Sequence, residues 1–173
     1  MTPEKSIFKA YDIRGIVGKT LTPEVTYAVG LVLGSMARDA GIDSLCVGRD
    51  GRVSGPELSE SLMKGIAAAG TKVIDIGRVP TPVLYFAAHY FKNGSGVAVT
   101  GSHNPPEYNG LKMMLGGKTL FGEGIQDIYR AICENRYKPA ETPAAIERVS
   151  VIDAYVKKIT SDVKLARPMK VAF

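Results

Sequence analysis

Cysteine is nearly absent. Cys46 and Cys133 are the only two among 173 residues, and no CxxC spacing joins them. This argues against a disulfide framework or a cysteine-based metal motif, and reads instead as two buried thiols in a reducing compartment. Long apolar runs are missing as well. None approaches the ~20 residues that span a bilayer, and the N-terminus has no signal-peptide apolar core. A soluble, cytoplasmic protein without a membrane partner is the expectation. Basic clustering is absent too: 22 Lys and Arg stand against 17 Asp and Glu for a net charge of +5, yet no basic block is longer than Lys157-Lys158. With no helix-turn-helix, zinc-finger or RNA-binding signature, a nucleic-acid partner is not expected. Scattered positive potential suits a phosphorylated small molecule better. A P-loop is also missing. Gly117-Lys118-Thr119 resembles its end, but Lys112 stands where the first glycine is required.

What is present is a globular complement, 45% hydrophobic and 23% charged, enough to core one domain with an appendage. Thr22 is placed as an N-cap with Pro23 at the first helical position. Val25, Ala28, Val29, Val32, Leu33 and Met36 follow with helical spacing, and Gly41 stops the helix. Ser44 to Val47 reads as a strand ending at Gly48. A second helix begins near Pro56, carries Leu58, Leu62, Ile66 and Ala69 on one face, and ends at Gly70. Then come a strand from Lys72 to Ile76, a helix from Thr81 to Phe91, strands at Val97 to Val99 and Leu111 to Leu115, and a helix from Gly124 to Asn135. The alternation predicts an α/β layer fold. The tight connection between the two strands around residue 105 predicts an antiparallel pair. Arg136 to Ala145, with two prolines, reads as a linker or crossing segment. Val151, Ile152, Tyr155, Val156, Ile159 and Val163 mark one more amphipathic helix, and Met169 to Phe173 reads as the beginning of a strand.

Between the two neighbouring strands lies Thr100-Gly101-Ser102-His103-Asn104-Pro105-Pro106-Glu107-Tyr108-Asn109-Gly110, followed by Leu111-Lys112. Gly101 permits a positive φ or a close backbone approach. Pro105 and Pro106 stiffen the loop and bias Asn104 away from helix. A stiff loop that offers one hydroxyl beside an imidazole and near an ammonium can present a nucleophile or a phosphorylation site. T-G-S-H-N lacks the G-x-S-x-G elbow of a serine hydrolase.

This string, T-G-S-H-N-P-x-x-Y-N-G-x-K, resembles the phosphoserine loop of the α-D-phosphohexomutases, the phosphomannomutase/phosphoglucomutase family. Phe8-Lys9-Ala10-Tyr11-Asp12-Ile13-Arg14-Gly15, Gly48-Arg49-Asp50-Gly51-Arg52 and Val79-Pro80-Thr81-Pro82 agree with that family in order and spacing. The resemblance covers about residues 7 to 135. It implies a three-layer α/β/α domain with a mixed sheet over residues 1–136. Residues 137–173 would then be a linker, a helix and the first strand of a following, truncated domain.

It further implies interconversion of hexose 6-phosphate and hexose 1-phosphate through a bisphosphorylated sugar. Ser102 would be the phosphorylated residue and a ligand of Mg2+, and Lys112 an active-site cation. Tyr11 and Arg14 would border the substrate. His103 would support the loop, with direct proton transfer as its alternative role. Arg49, Asp50 and Arg52 read as a structural ion-pair cluster; the resemblance keeps this segment near the cleft, which leaves a contact there as the alternative. A phosphate on Ser102 would carry about −1.5 to −2 charge. Each cation at ~4 Å would offset a few kcal/mol at an effective dielectric of ~20. The family's metal loop, sugar-selecting loop and terminal phosphate-binding loop have no counterpart in these residues, so later domains are the implied partners, alongside a hexose phosphate and a bisphosphate activator. The rival from another class is a non-catalytic phosphosugar-binding module.

Overall fold

The Thr22 hydroxyl accepts a hydrogen bond from the Val25 amide at 3.4 Å, and Pro23 opens helix α1 (Pro23–Asp39), whose end is turned away at Gly41 with φ of +69°. The computed structural model describes residues 1–172. Among them are helices α2 (Gly55–Ala68), α3 (Thr81–Tyr90), α4 (Glu123–Cys133) and α5 (Ile152–Asp162). The strands are β1 (Ile13–Ile16), β2 (Ser44–Arg49), β3 (Lys72–Arg78), β4 (Gly96–Val99), β5 (Tyr108–Leu115), β6 (Lys118–Thr119) and β7 (Ile146–Arg148). No helix among the described residues is long and apolar enough to cross a membrane.

The strands form one mixed sheet in the order β1-β5-β4-β2-β3-β7, with β6 paired to β5. β4, β2, β3 and β7 run parallel, while β5 is antiparallel to both β4 and β1. From β2 the chain steps through α2 to β3 on one side. It then returns through α3 to β4 on the other side. The winding therefore reverses between β2 and β4. In open α/β sheets such a reversal leaves a crevice beyond the carboxyl ends of the two strands.

Two cores flank the sheet and make the three layers. On one face, Val29, Val32 and Leu33 of α1, Leu58, Leu62 and Ile66 of α2, and Ile125, Ile128 and Ile132 of α4 pack on Leu45, Val47, Val97, Val99 and Leu111. On the other, Val83, Leu84 and Ala87 of α3 cover Cys46, Ile74, Ile76 and Ala98, joined by Val151. Burial pushes the Cys46 thiol up to about 11, against a smaller opposing effect of its hydrogen bond with Asn93. Both cysteines are free, with Cys133 only half-buried.

Several boundaries differ from the sequence expectation. β2 runs on to Arg49, and β5 begins three residues early, at Tyr108, because β1 pairs with it from Ile16 to Ile13. Cys133 ends α4, and Asn135 turns the chain with φ of +51°. Arg136 to Ala145 crosses behind the α1–α2 layer. The Ala140 and Ala144 amides donate to the Ala68 and Ala67 carbonyls, which delivers β7 to the outer edge of β3. α5 forms as expected but buries none of its residues; Tyr155 alone packs edge-on against Phe86 at 5.3 Å. No strand forms over Met169 to Ala172, where the described residues offer no neighbouring strand to complete a ladder, and Phe173 lies outside the described residues.

α1 and α2 cross through glycines. A Cβ on Gly30 would sit 2.2 Å from the Leu62 carbonyl oxygen, and one on Gly65 would sit 2.1 Å from that of Tyr27. Both obstacles are backbone and cannot rotate away. Gly65→Ala is expected to lower unfolding free energy by about 1–3 kcal/mol, read as a lower urea midpoint. An unchanged midpoint would mean the helices separate freely.

Candidate active site

The loop carrying Ser102 leaves the carboxyl end of β4, and the loop Asp50-Gly51-Arg52 leaves the carboxyl end of β2. They meet in the crevice where the winding reverses. A cleft of about 390 Å3 is lined by Asp50, Gly51, Arg52, Ser102, Asn104 and Pro106. A second, of about 410 Å3, continues past Asp50 and Gly51 to Arg78, Val79 and Pro80.

Asp50 and Arg52 hold the serine loop from opposite sides. One carboxylate oxygen of Asp50 accepts from the Thr100 hydroxyl at 2.9 Å and from the Gly101 amide at 3.0 Å. Its other oxygen accepts from the Arg52 amide at 2.9 Å, which folds the β2 loop on itself. The Arg52 guanidinium donates to four carbonyls: Pro105 at 2.7 Å, Tyr108 at 3.0 Å, Ser102 at 3.1 Å and Asn104 at 2.6 Å. Its Nε lies 3.6 Å from Asp50. Behind them, buried Asn109 donates to the Ser54 hydroxyl at 2.9 Å and ties β5 to the start of α2.

The grip has a backbone consequence. Ser102 has φ of +53°, the left-handed region that a residue with a Cβ seldom adopts. Its amide donates to the Thr100 hydroxyl at 2.9 Å, and its own hydroxyl stands exposed, 3.1 Å from His103 Nδ1. Of the two readings the sequence left open for Gly101, a positive φ or a close backbone approach, the structure shows the second. Gly101 is required because a Cβ there would lie 2.0 Å from Arg52 Nε; the close approach is to the guanidinium.

A second charged group forms across β1 and β5. Arg14 on β1 pairs in register with Gly110, and Lys112 lies two residues farther along β5, on the same face by strand alternation. Asp12, 8% exposed, joins them: Arg14 donates to its Oδ2, and Lys112 Nζ is 3.6 Å from the same oxygen. The Arg14 Nε is buried and has no partner among the described residues. Thr100 bonds to the Gly110 carbonyl at 2.9 Å. Arg14 thus lies two strand spacings, about 10 Å, from the root of the serine loop.

Of the residues anticipated for the site, Ser102 and His103 are adjacent in space, and Arg14 and Lys112 share a carboxylate. Tyr11 is 75% exposed and makes no side-chain hydrogen bond among those described. His89 is exposed on α3, away from the loop. Arg52 pairs with Asp50 as the ion-pair reading expects, and is in addition the central donor to the loop. Asp12 was not anticipated, although a carboxylate two residues from Arg14 on an extended segment was a usable signal.

Asp12→Asn removes the charge shared by Arg14 and Lys112 while keeping the shape. Two partly buried cations then face each other without an anion. A loss of about 1–3 kcal/mol in unfolding free energy is expected, measured by urea denaturation at pH 7. Unchanged stability would make the three independent surface charges.

Comparison with known proteins agrees with this geometry. Residues 5–138 match the family described as phosphoglucomutase/phosphomannomutase, alpha/beta/alpha domain I. A phosphoglucomutase of Neisseria meningitidis serogroup B is 49% identical over 168 residues, which are 97% of this chain and 36% of that protein. A phosphomannomutase/phosphoglucomutase of Pseudomonas aeruginosa is 48% identical over 166 residues, 96% of this chain and 35% of that one. The crystal structure of a phosphoglucomutase/phosphomannomutase family protein from Burkholderia thailandensis superposes with a TM-score of 0.91 at 46% identity, over 97% of this chain and 38% of that one. The chain thus spans roughly a third of the length of the relatives it matches. It belongs to the phosphoglucomutase/phosphomannomutase family and carries that family's α/β/α domain I.

Proposed function

We propose that this chain supplies the phosphoryl-carrying domain of a hexose phosphomutase, which interconverts hexose 6-phosphate and hexose 1-phosphate. The observation that carries the reading is Ser102, held with its hydroxyl exposed at positive φ in the crevice of a domain of this family. The names of the relatives support a hexose phosphate as substrate.

In the forward half-reaction phosphoserine 102 donates its phosphoryl group to a sugar hydroxyl. The phosphorus–Oγ bond breaks, a phosphorus–sugar oxygen bond forms, and one proton passes from the sugar hydroxyl to the serine oxygen. His103 Nδ1, 3.1 Å from Oγ, sits where that proton arrives. The bisphosphorylated sugar then reorients and returns its other phosphoryl group by the reverse step. There is little covalent chemistry for the protein to perform, so positioning and charge stabilisation dominate. Lys112 and Arg14 supply the charge, Tyr11 borders the sugar, and a hexose bisphosphate is the agent that loads Ser102. The reducing cytoplasm, where soluble sugar phosphates occur, is the compartment this reading assigns.

The family resemblance also implies Mg2+. Among the described residues no group of three or more His, Cys, Asp or Glu could hold a metal. A phosphate on Ser102 would offer one oxygen where Mg2+ takes about six ligands. The described residues do not form such a site alone.

Intact-mass measurement tests the loading directly. Incubation with glucose 1,6-bisphosphate should add one phosphate, about 80 Da, to the protein, and Ser102→Ala should abolish the gain. In the protein with its later domains, Ser102→Ala should lower kcat at least about a thousandfold, as loss of a covalent nucleophile does elsewhere. Stability should change by no more than about 1 kcal/mol. Wild-type turnover by that variant would refute the assignment.

The 173 residues alone are expected to bind or accept phosphate without turning over. The resemblance assigns the sugar-selecting and terminal phosphate-binding loops to later domains, so partners that would hold the sugar ring and its distal phosphate in near-attack geometry are not recognisable here. A coupled assay with glucose 1-phosphate or mannose 1-phosphate, bisphosphate and Mg2+ reads this. Turnover of ~1 per second or faster would place the whole active site within one domain. Stoichiometric binding without any phosphoserine in either form would favour the binding-module rival.

A further inference from the structure

Arg52 lines the cleft beside Ser102, where an arginine would ordinarily be assigned to grip a substrate phosphate. Its donor count argues otherwise. A guanidinium has five N–H groups in a fixed fork. Nη1 is engaged by the Pro105 and Tyr108 carbonyls, and Nη2 by those of Ser102 and Asn104. Nε faces Asp50, and Gly101 passes so close that no Cβ would fit. Neither terminal nitrogen can turn toward a ligand without releasing a loop carbonyl, and the one N–H that bonds no carbonyl, at Nε, lies 3.6 Å from the Asp50 carboxylate. The side chain is also only 16% exposed.

Resting on the phosphomutase reading, we propose that Arg52 is a positioning residue. It fixes Ser102 in its left-handed conformation and draws the loop carbonyls to the side away from the reacting phosphoryl group, without contacting substrate. Four carbonyl oxygens turned the other way would present their negative ends to a phosphate of about −1.5 to −2 charge. Gathered on one guanidinium, they are neutralised and fixed. Asp50 completes the hold by taking the Thr100 hydroxyl and the Gly101 amide. The planar fork is essential, because an ammonium has three donors around one point and cannot serve four carbonyls spread from residue 102 to residue 108.

The test is Arg52→Lys, which keeps the charge and loses the fork. In the protein with its later domains, kcat should fall about a hundredfold, the effect of a displacement near 1 Å at a reacting centre, while KM for the hexose phosphate stays within about threefold. In the 173-residue chain, hydrogen exchange at the Gly101 and Ser102 amides should speed up at least tenfold, with the rate at the buried Val97 amide unchanged. A rise in KM with kcat intact would make Arg52 a substrate ligand and overturn the proposal. So would unchanged kcat and unchanged exchange, or loss of the folded state at 25 °C, which would make it an anchor of the whole domain. The exchange measurement requires no turnover. If the wild-type protein proved inactive and never took phosphate, the phosphomutase reading would fail, whereas unchanged loop exchange would sink the positioning role on its own.

Discussion

The serine loop keeps its form because two residues at the end of one strand hold the loop at the end of its neighbour. Asp50 and Arg52 follow β2, the loop from Thr100 to Tyr108 follows β4, and the two strands are parallel and adjacent. Without the reversal of winding between them, the two loops would not meet. Left-handed backbone at a serine costs on the order of 1–3 kcal/mol. A single hydrogen bond to a charged donor contributes about 1.5–3 kcal/mol. Even one of the four Arg52 bonds is therefore comparable with the strain, and the set of four over-determines the conformation. The strain persists because its surroundings leave the loop no alternative.

The same logic explains what was legible in the sequence. Local signals told the truth: Thr22 with Pro23 began α1, the helical spacing of Leu58, Leu62 and Ile66 marked the buried face of α2, and the glycine-proline punctuation set off the serine loop. Each is a short-range rule, readable from a few residues. The failures were long-range. β1 is four residues with half-buried Arg14 in the middle, and it is a strand only because β5 lies beside it. β7 is three exposed residues completed by the edge of β3. The tail from Met169 had strand-like residues without a strand to meet. Pairing partners distant in sequence decide such short elements, and no local pattern reports them.

At the site the division was similar. The stiff loop pointed to Ser102 and His103 and the family resemblance to Lys112 and Arg14, but the contacts that hold the serine loop reach across about 50 residues. Gly101 reads in isolation as a residue for positive φ or close approach, and the fold shows what approaches it, the Arg52 guanidinium. Arg52 reads as one charge in an ion-pair cluster, whereas its bonds to residues 102 through 108 make it the frame of the loop. Asp12 carries no expectation in the sequence, and is buried between two cations that meet only when β1 pairs with β5.

The two charged groups therefore divide the work by their net charge. Arg52 and Asp50 cancel each other, and both terminal nitrogens of the guanidinium are spent on loop carbonyls. Such a pair exerts little field on an arriving anion; its effect is geometric. Arg14, Lys112 and Asp12 are one negative charge short of neutral, with a buried arginine N–H still unpartnered. The group is partly buried, so its excess positive charge is screened less than it would be on open surface. Asp12 limits the excess to a single charge and so keeps two like charges stable side by side while no phosphate is present. Under the proposed phosphomutase reading, the negative charge of a phosphoryl group would satisfy the remainder. Shape is supplied from the β2 side of the serine loop and charge from the β1 side, and the mixed sheet is what brings the two to the same edge.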